Sequence, residues 1–287
     1  MVARSNRVAP TNTRAHCSVG RSPHRPRNAL RSPVIRTMPK APAILVTNDD
    51  GIHSPGLKAL AEALAEVGEV VVIAPDRERS AAGHSLTLHK PLRATEVAPG
   101  WYAVDGTPTD CVTLGVMGML KERPHLVASG VNLGPNMGDD ITYSGTVSAA
   151  VEGTLLGIPS IAVSVVDASL QGLQTAAAFV ARLAPLVLER GLPPDTLLNV
   201  NVPAGPLKGV VVTRQGKRSY NELIVEKIDP RGKTYYWIGG GEPTWELLGG
   251  TDYEAVTGGK VSITPLHLDL TNYAATQVLK EWEAFLA

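Results

Sequence analysis

Cysteine is nearly absent: the 287 residues contain only Cys17 and Cys111. Two cysteines so far apart make no disulfide framework, so a reducing compartment, the cytoplasm, is the simpler inference. Long apolar runs are missing too. No stretch approaches the roughly 18 consecutive apolar residues of a membrane-spanning helix, so no membrane partner is expected. There is no Gly-x-x-x-x-Gly-Lys-Ser/Thr phosphate loop, and no Gly-x-Gly-x-x-Gly follows the first apolar run. No Gly-x-Ser-x-Gly elbow occurs to present a nucleophilic serine. The seven histidines never fall at His-x-x-x-His zinc spacing.

The net charge is zero, which conceals an asymmetry. Residues 1–37 hold eight of the 27 basic residues, all arginine, and no acid, leaving 19 basic against 27 acidic residues in 38–287. The folded part is therefore acidic, and no nucleic-acid partner is expected for it. Rich in Arg, Ser and Pro without apolar periodicity, residues 1–37 cannot bury enough surface to offset ordering entropy, so disorder is expected. The composition suits a transit peptide or a basic tail. A third reading makes Met38 the true start, with the preceding stretch not translated. That reading is adopted, because Met38 stands five residues before the first strand, where a compact enzyme would begin.

The remainder, 38–287, is organised around Asn48-Asp49-Asp50-Gly51. Ala43-Ile44-Leu45-Val46 before it is an apolar run too short for a helix, so it reads as a buried strand. After it, Leu57, Leu60, Ala61, Leu64 and Val67 repeat at helical spacing, and Val70–Ala74 is a second buried strand. Strand, helix and strand of this character predict a right-handed βαβ unit in a parallel sheet. Asp49 and Asp50 then lie at a strand's carboxyl end, where open α/β sheets bind ligands. Asp-Asp-Gly also suits a plain polar turn. Partly desolvated, however, the two carboxylates repel unless a cation neutralises them, and a hard ion such as Mg²⁺ or Mn²⁺ fits oxygen ligands.

Further along, Leu86–Leu88, Leu92–Thr95 and Trp101–Val104 read as short strands. Thr107-Pro108-Thr109-Asp110 caps a helix to about Leu120, with Cys111 in the core. His125–Gly130 is a strand whose exit loop runs from Val131 to Asp140. A helix then starts at Ser144-Gly145-Thr146, followed by a strand over 158–164, a helix over 175–190 and a strand over 196–202. Segment 214–250, with Tyr220, Tyr235, Tyr236, Trp237 and Trp245, reads as a hairpin excursion suited to subunit contacts. A strand over 260–264 and an amphipathic helix over 273–286 close the chain.

Three strand ends thus aim loops at one edge: Asp49-Asp50, Ser80 to Ser85, and Asn132 to Thr146. They offer two carboxylates, a serine hydroxyl and an asparagine carbonyl, while the helix start at Ser144 supplies free N–H groups for an anion. Metal-assisted hydrolysis of a phosphate ester is the chemistry this suggests. His84 reads as a surface histidine, and Asp139-Asp140 as solvent-facing.

These segments resemble the SurE family, the survival-protein nucleotidases. The resemblance rests on Ile44–Gly51 with Ser54-Pro55-Gly56, on Ala74-Pro75-Asp76, Gly106–Cys111, Ser129–Asn136, Tyr143–Val147 and Ser262–Leu266, in that order. It implies a metal-dependent phosphatase of nucleoside monophosphates, 5′ and in some measure 3′, on a Rossmann-like, mostly parallel sheet flanked by helices. It further implies one divalent ion per subunit, Mg²⁺ or Mn²⁺, held by Asp49, Asp50, Ser80 and Asn132. The aspartates would be catalytic, with water attacking in line. Ser80, Gly83, Asn136, Ser144, Gly145 and Thr146 would orient the phosphate. The C-terminal hairpin and helix would build a homodimer or homotetramer. Short polyphosphate or other phosphomonoesters are alternative substrates, and a non-catalytic nucleotide binder is the alternative class. One departure is visible: many members place Gly directly after the metal-site Ser, whereas Ala81-Ala82 precede Gly83 here.

Overall fold

The computed structural model describes residues 41–219, 224–238 and 244–286. The 1–37 extension and Tyr220 lie outside them. The first three elements are β1 (Ala43–Thr47), α1 (Pro55–Leu64) and β2 (Glu69–Pro75). Next come β3 (Ala94–Ala98), β4 (Trp101–Val104), α2 (Pro108–Leu114) and β5 (Leu126–Leu133). They are followed by α3 (Gly145–Leu155), β6 (Ser160–Val165), α4 (Leu170–Arg190) and β7 (Thr196–Val202). The C-terminal part adds β8 (Val210–Val212), β9 (Arg218–Ser219), β10 (Ile224–Ile228), β11 (Thr234–Ile238) and β12 (Thr244–Trp245). It ends with α5 (Asp252–Thr257), β13 (Val261–His267), α6 (Tyr273–Lys280) and α7 (Glu283–Leu286).

Nine strands form one sheet in the order β3-β4-β2-β1-β5-β6-β7-β13-β8. From β4 to β7 every neighbouring pair is parallel, while β3 and β13 run antiparallel to β4 and β7. The chain leaves β1 towards β2 and later returns to β1's other side as β5, so the strand order reverses between β1 and β5. A crevice opens at the carboxyl ends of such a pair.

Alternation along β1 builds the layers. Ile44 and Val46 pack with α1 and α4, whereas Leu45 faces α2 and α3 with Ile73, Val112 and Val127. In α1 the spacing of Leu57, Leu60, Ala61 and Leu64 puts all four into the core. Ser54 caps that helix by accepting from Gly56 N–H, with Pro55 at its first position. Cys111 is fully buried, as expected, and burial pushes its thiol well up.

Several boundaries differ from the sequence reading. Leu86–Leu88 forms no strand. The helix expected to reach Leu120 leaves α-geometry after Leu114 and continues as a π-turn over Gly115–Met119. At Gly115 a Cβ would come within 2.9 Å of Ile73 Cδ1, so a larger residue would have to push the Ile73 side chain aside. Helix α4 begins at Leu170, capped by Ser169, earlier than apolar spacing suggested. The terminal helix is two short ones. Strand β8 and helix α5 went unread. The hairpin is present, as β10 paired antiparallel with β11, and β9 pairs with β12.

Gly56 brings α1 against the exit of β5, since a Cβ there would lie 2.0 Å from the Val131 carbonyl oxygen. Gly56→Ala therefore forces α1 off the sheet. A loss of about 1–3 kcal/mol is expected in urea denaturation, the range for overpacking a tight contact.

Candidate functional site

The turn after β1 is fixed by Asn48, a fully buried residue. Its Nδ2 donates to the Gly51 carbonyl at 3.1 Å and its Oδ1 accepts from Gly51 N–H at 3.2 Å. Gly51 has φ 96°, and a Cβ there would meet the Arg77 carbonyl carbon at 2.9 Å, so glycine is required twice over. Two backbone bonds then tie this turn to the loop after β2: Ile52 N–H to the Pro75 carbonyl at 2.8 Å, and Arg79 N–H to the Asp49 carbonyl at 2.7 Å.

Asp49 is buried against the start of α3. Its Oδ1 accepts from the Thr146 hydroxyl, and a Cβ on Gly145 would fall 2.9 Å from its Oδ2. Burial raises the Asp49 pKa, while the Thr146 hydroxyl and nearby backbone groups, including those of Thr146 and Gly145, oppose that rise. The positive end of a helix thus faces a carboxylate it stabilises.

Asp50 has less help. Its pKa is pushed up to about 6, first by burial, then by the neighbouring Asp49 charge, with Glu78 adding to it and the Leu133 backbone opposing. The Asp50 Oδ2 is buried and finds no hydrogen-bond partner among the described residues. An unpartnered buried carboxylate oxygen is costly, and a bound cation would satisfy it. Asp50 also lines a cavity of about 290 Å³ with Gly51, His53, Asp76, Glu78 and Leu133.

The other expected donors fall into distinct settings. Asn132 spends Nδ2 on the Gly134 carbonyl at 2.7 Å, which leaves its side-chain oxygen as an acceptor. Ser80 is exposed, and its hydroxyl donates to Glu78 Oε1 at 2.5 Å. Glu78, which the sequence reading missed, is thus a further negative charge that Asp50 feels across the cavity, without joining the pair as a ligand group. Ala81, the position where the family resemblance leads one to expect glycine, adopts φ 55°, and Gly83 adopts φ 57°. The loop keeps left-handed turns even where an alanine must supply one.

Asn136, expected near the phosphate, is tied into the sheet by its own hydrogen bonds. Its Nδ2 donates to Ser164 Oγ at 2.8 Å, its N–H to Asn201 Oδ1 at 2.8 Å, and its carbonyl accepts from Asn199 and Asn201. This buried knot fixes the β5 exit loop to β6 and β7. Ser144 is the α3 cap, accepting from Val147 N–H. Asp139 and Asp140 do not simply face solvent: Asp139 accepts from Arg218 N–H at 3.0 Å, and Asp140 pairs with the Arg218 side chain. His84, expected to be a plain surface residue, contacts the buried Glu152. Cross-chain pairings of this kind leave no local sequence signal.

Among the described residues no cluster of three or more His, Cys, Asp or Glu is placed to hold a metal; the carboxylate pair with Ser and Asn oxygens has only two such residues. No helix among them is long and apolar enough to cross a membrane.

An open, mostly parallel sheet flanked by helices, with an acidic pair at its switch point, defines a Rossmann-like class of α/β protein. The family model for survival protein SurE matches residues 44–222, and the chain belongs to the SurE family. The 5′-nucleotidase SurE of Geobacter metallireducens is 64% identical over 244 residues, covering 84% of this chain and 97% of that one. The Geobacter sulfurreducens 5′-nucleotidase SurE is 62% identical over 244 residues, with 84% and 93% covered. The crystal structure of the SurE protein from Aquifex aeolicus superposes with a TM-score of 0.76 at 51% identity, over 84% of this chain and all of that one.

The raised carboxyls give a pH dependence. The Asp50 group titrates near 3.8 unfolded and near 6 folded, so between those values the native state holds more protons. Stability is full below about pH 4 and falls as pH rises through 6. For metal-free protein in chelator, the melting temperature should drop across that window, and Asp50→Asn should flatten the drop. An equal drop in the variant would show that other groups govern it.

Proposed function

We propose that this chain is a 5′-nucleotidase, a divalent-metal-dependent hydrolase that releases phosphate from nucleoside monophosphates. The observation that carries the reading is the Asp49-Asp50 pair at the sheet's switch point, Asp49 buried and Asp50 half-buried with its Oδ2 unpartnered. Asp49, Asp50, Ser80 and the Asn132 side-chain oxygen would hold Mg²⁺ or Mn²⁺. When bound, such an ion neutralises the carboxylates and draws charge from a phosphate oxygen. Thr146 and Gly145 orient Asp49, and one of the two aspartates takes the proton of the attacking water. The start of α3 at Ser144, with Ser80 and Gly83, favours the phosphate's negative charge. The Asn136 side chain, committed to Ser164, acts on the phosphate by fixing the loop.

Phosphate release should be measured on 5′- and 3′-nucleoside monophosphates and short polyphosphate, with Mg²⁺, Mn²⁺ or chelator. Release is expected to need metal and to fall on the order of 100- to 1000-fold in Asp49→Asn, as when a charge-stabilising group is removed. Binding of nucleotide without release under any metal would replace the enzyme by a non-catalytic binder. Mg²⁺ should also raise the melting temperature of wild type and not of Asp50→Asn.

The C-terminal elements support self-association as a homodimer or homotetramer. Ile224, Trp237 and Ile238 of the hairpin, and Trp282, Phe285 and Leu286 at the end, are exposed, and α6 and α7 bury no residue. A lone hairpin is marginal in water. Light scattering on the full chain should give the mass of two or four copies, and a monomer at working concentration would overturn this.

A further inference from the structure

Glu152 is a charge that the chemistry above does not use. It lies in α3 with its side chain 9% exposed, a setting carboxylates avoid unless partnered. Its Oε1 accepts from Thr113 Oγ1 of α2 at 2.9 Å, and its Oε2 lies 2.9 Å from Nε2 of His84. His84 belongs to the loop that leaves β2 and carries Ser80 and Gly83.

Helix geometry relates this contact to Asp49. Glu152 follows Gly145 by seven residues, about two turns or 10 Å along the same face. That face therefore meets Asp49 at its first turn and His84 two turns later.

The loop's ends are held separately. Arg79 N–H is on the Asp49 carbonyl, the Thr107 hydroxyl donates to the Ser85 carbonyl at 2.7 Å, and Thr87 donates to Asp110 from its N–H at 2.8 Å and its hydroxyl at 2.6 Å. Between those ends the bonds of Ser80 and Ala82 stay inside the loop. Among the described residues, His84 makes the one hydrogen bond from residues 80–84 to the body of the protein.

We propose that Glu152 and His84 are positioning residues for the reaction: a clasp that sets Ser80 and Gly83 relative to Asp49 and Asp50. This rests on the reading above, in which Ser80 serves the metal and Gly83 the phosphate. Thr113 holds Glu152 whether or not His84 is present, so the clasp is distinct from the α2–α3 contact.

The test compares full-length wild type with His84→Ala, His84→Gln and the double variant His84→Ala/Glu152→Gln. Glutamine places an amide about where Nε2 lies. One readout is the rate of trypsin cleavage after Arg77 and Arg79, mapped by mass spectrometry. The other is KM for a nucleoside monophosphate and the Mn²⁺ concentration for half-maximal rate, set against kcat.

His84→Ala should speed cleavage, and should raise KM and the Mn²⁺ requirement, each about tenfold, the usual cost of losing a supporting partner. A residue that only places a binding loop leaves kcat within about threefold. His84→Gln should restore all three, and the double variant should match His84→Ala. Unchanged cleavage and KM in His84→Ala, failure of His84→Gln to restore them, or additive losses in the double variant would each overturn the clasp. If wild type releases no phosphate, the enzymatic reading fails, while cleavage still decides the clasp.

Discussion

The structure turns on the placement of two adjacent carboxylates where water is largely excluded. Asp49 has compensation within the chain, from the start of α3 and the Thr146 hydroxyl. Asp50 has little, and both its raised pKa and its unpartnered oxygen record that imbalance. A fold seeking stability alone would replace it with an amide or an apolar side chain. The proposed cation would complete the arrangement and would link this site's stability to its chemistry.

The surrounding architecture serves that placement. Reversal of strand order between β1 and β5 opens the crevice, and parallel strands bring successive loops to the same edge. Close backbone approaches then set positions that side chains alone would leave loose. Gly56 lies against Val131, Gly51 against Arg77, and Gly145 against Asp49. The Asn136 knot does the same for the β5 exit loop, joining it to β6 and β7 through Ser164, Asn199 and Asn201. Several asparagines and glycines that look like turn formers are thus positioning devices.

Much of this was legible in the amino-acid order. Strands β1 and β2 write themselves as near-continuous apolar runs, and β5, β6 and β7 as apolar runs interrupted by Ser, Gly or Asn, as buried parallel strands do. The caps at Ser54, Thr107 and Ser144 follow local chemistry. Strand-end position pointed to Asp49 and Asp50, whereas Asn132 was singled out by the family resemblance. What escaped was set by long-range contact. Strand β8 is three residues long and mostly exposed, and it exists through pairing with β13. The π-turn at Gly115 follows from the proximity of Ile73 and Leu45. Glu152 and His84 are 68 positions apart, and no periodicity relates them. The commitment of Asn136 to Ser164 was equally invisible, since the residue type suits a ligand and a structural knot alike.

The loop after β2 shows why a buried charge can matter beyond packing. From Arg77 to Lys90 no residue is fully buried, so the hydrophobic effect does little to select one conformation. Its geometry must come from discrete hydrogen bonds and from left-handed turns at Ala81 and Gly83. A bond to an exposed partner would be diluted by competing water, whereas a carboxylate desolvated within α3 holds its partner more strongly. Burying Glu152 therefore has a physical rationale: the low-dielectric setting that makes the charge costly also makes it an effective anchor for a solvent-exposed segment.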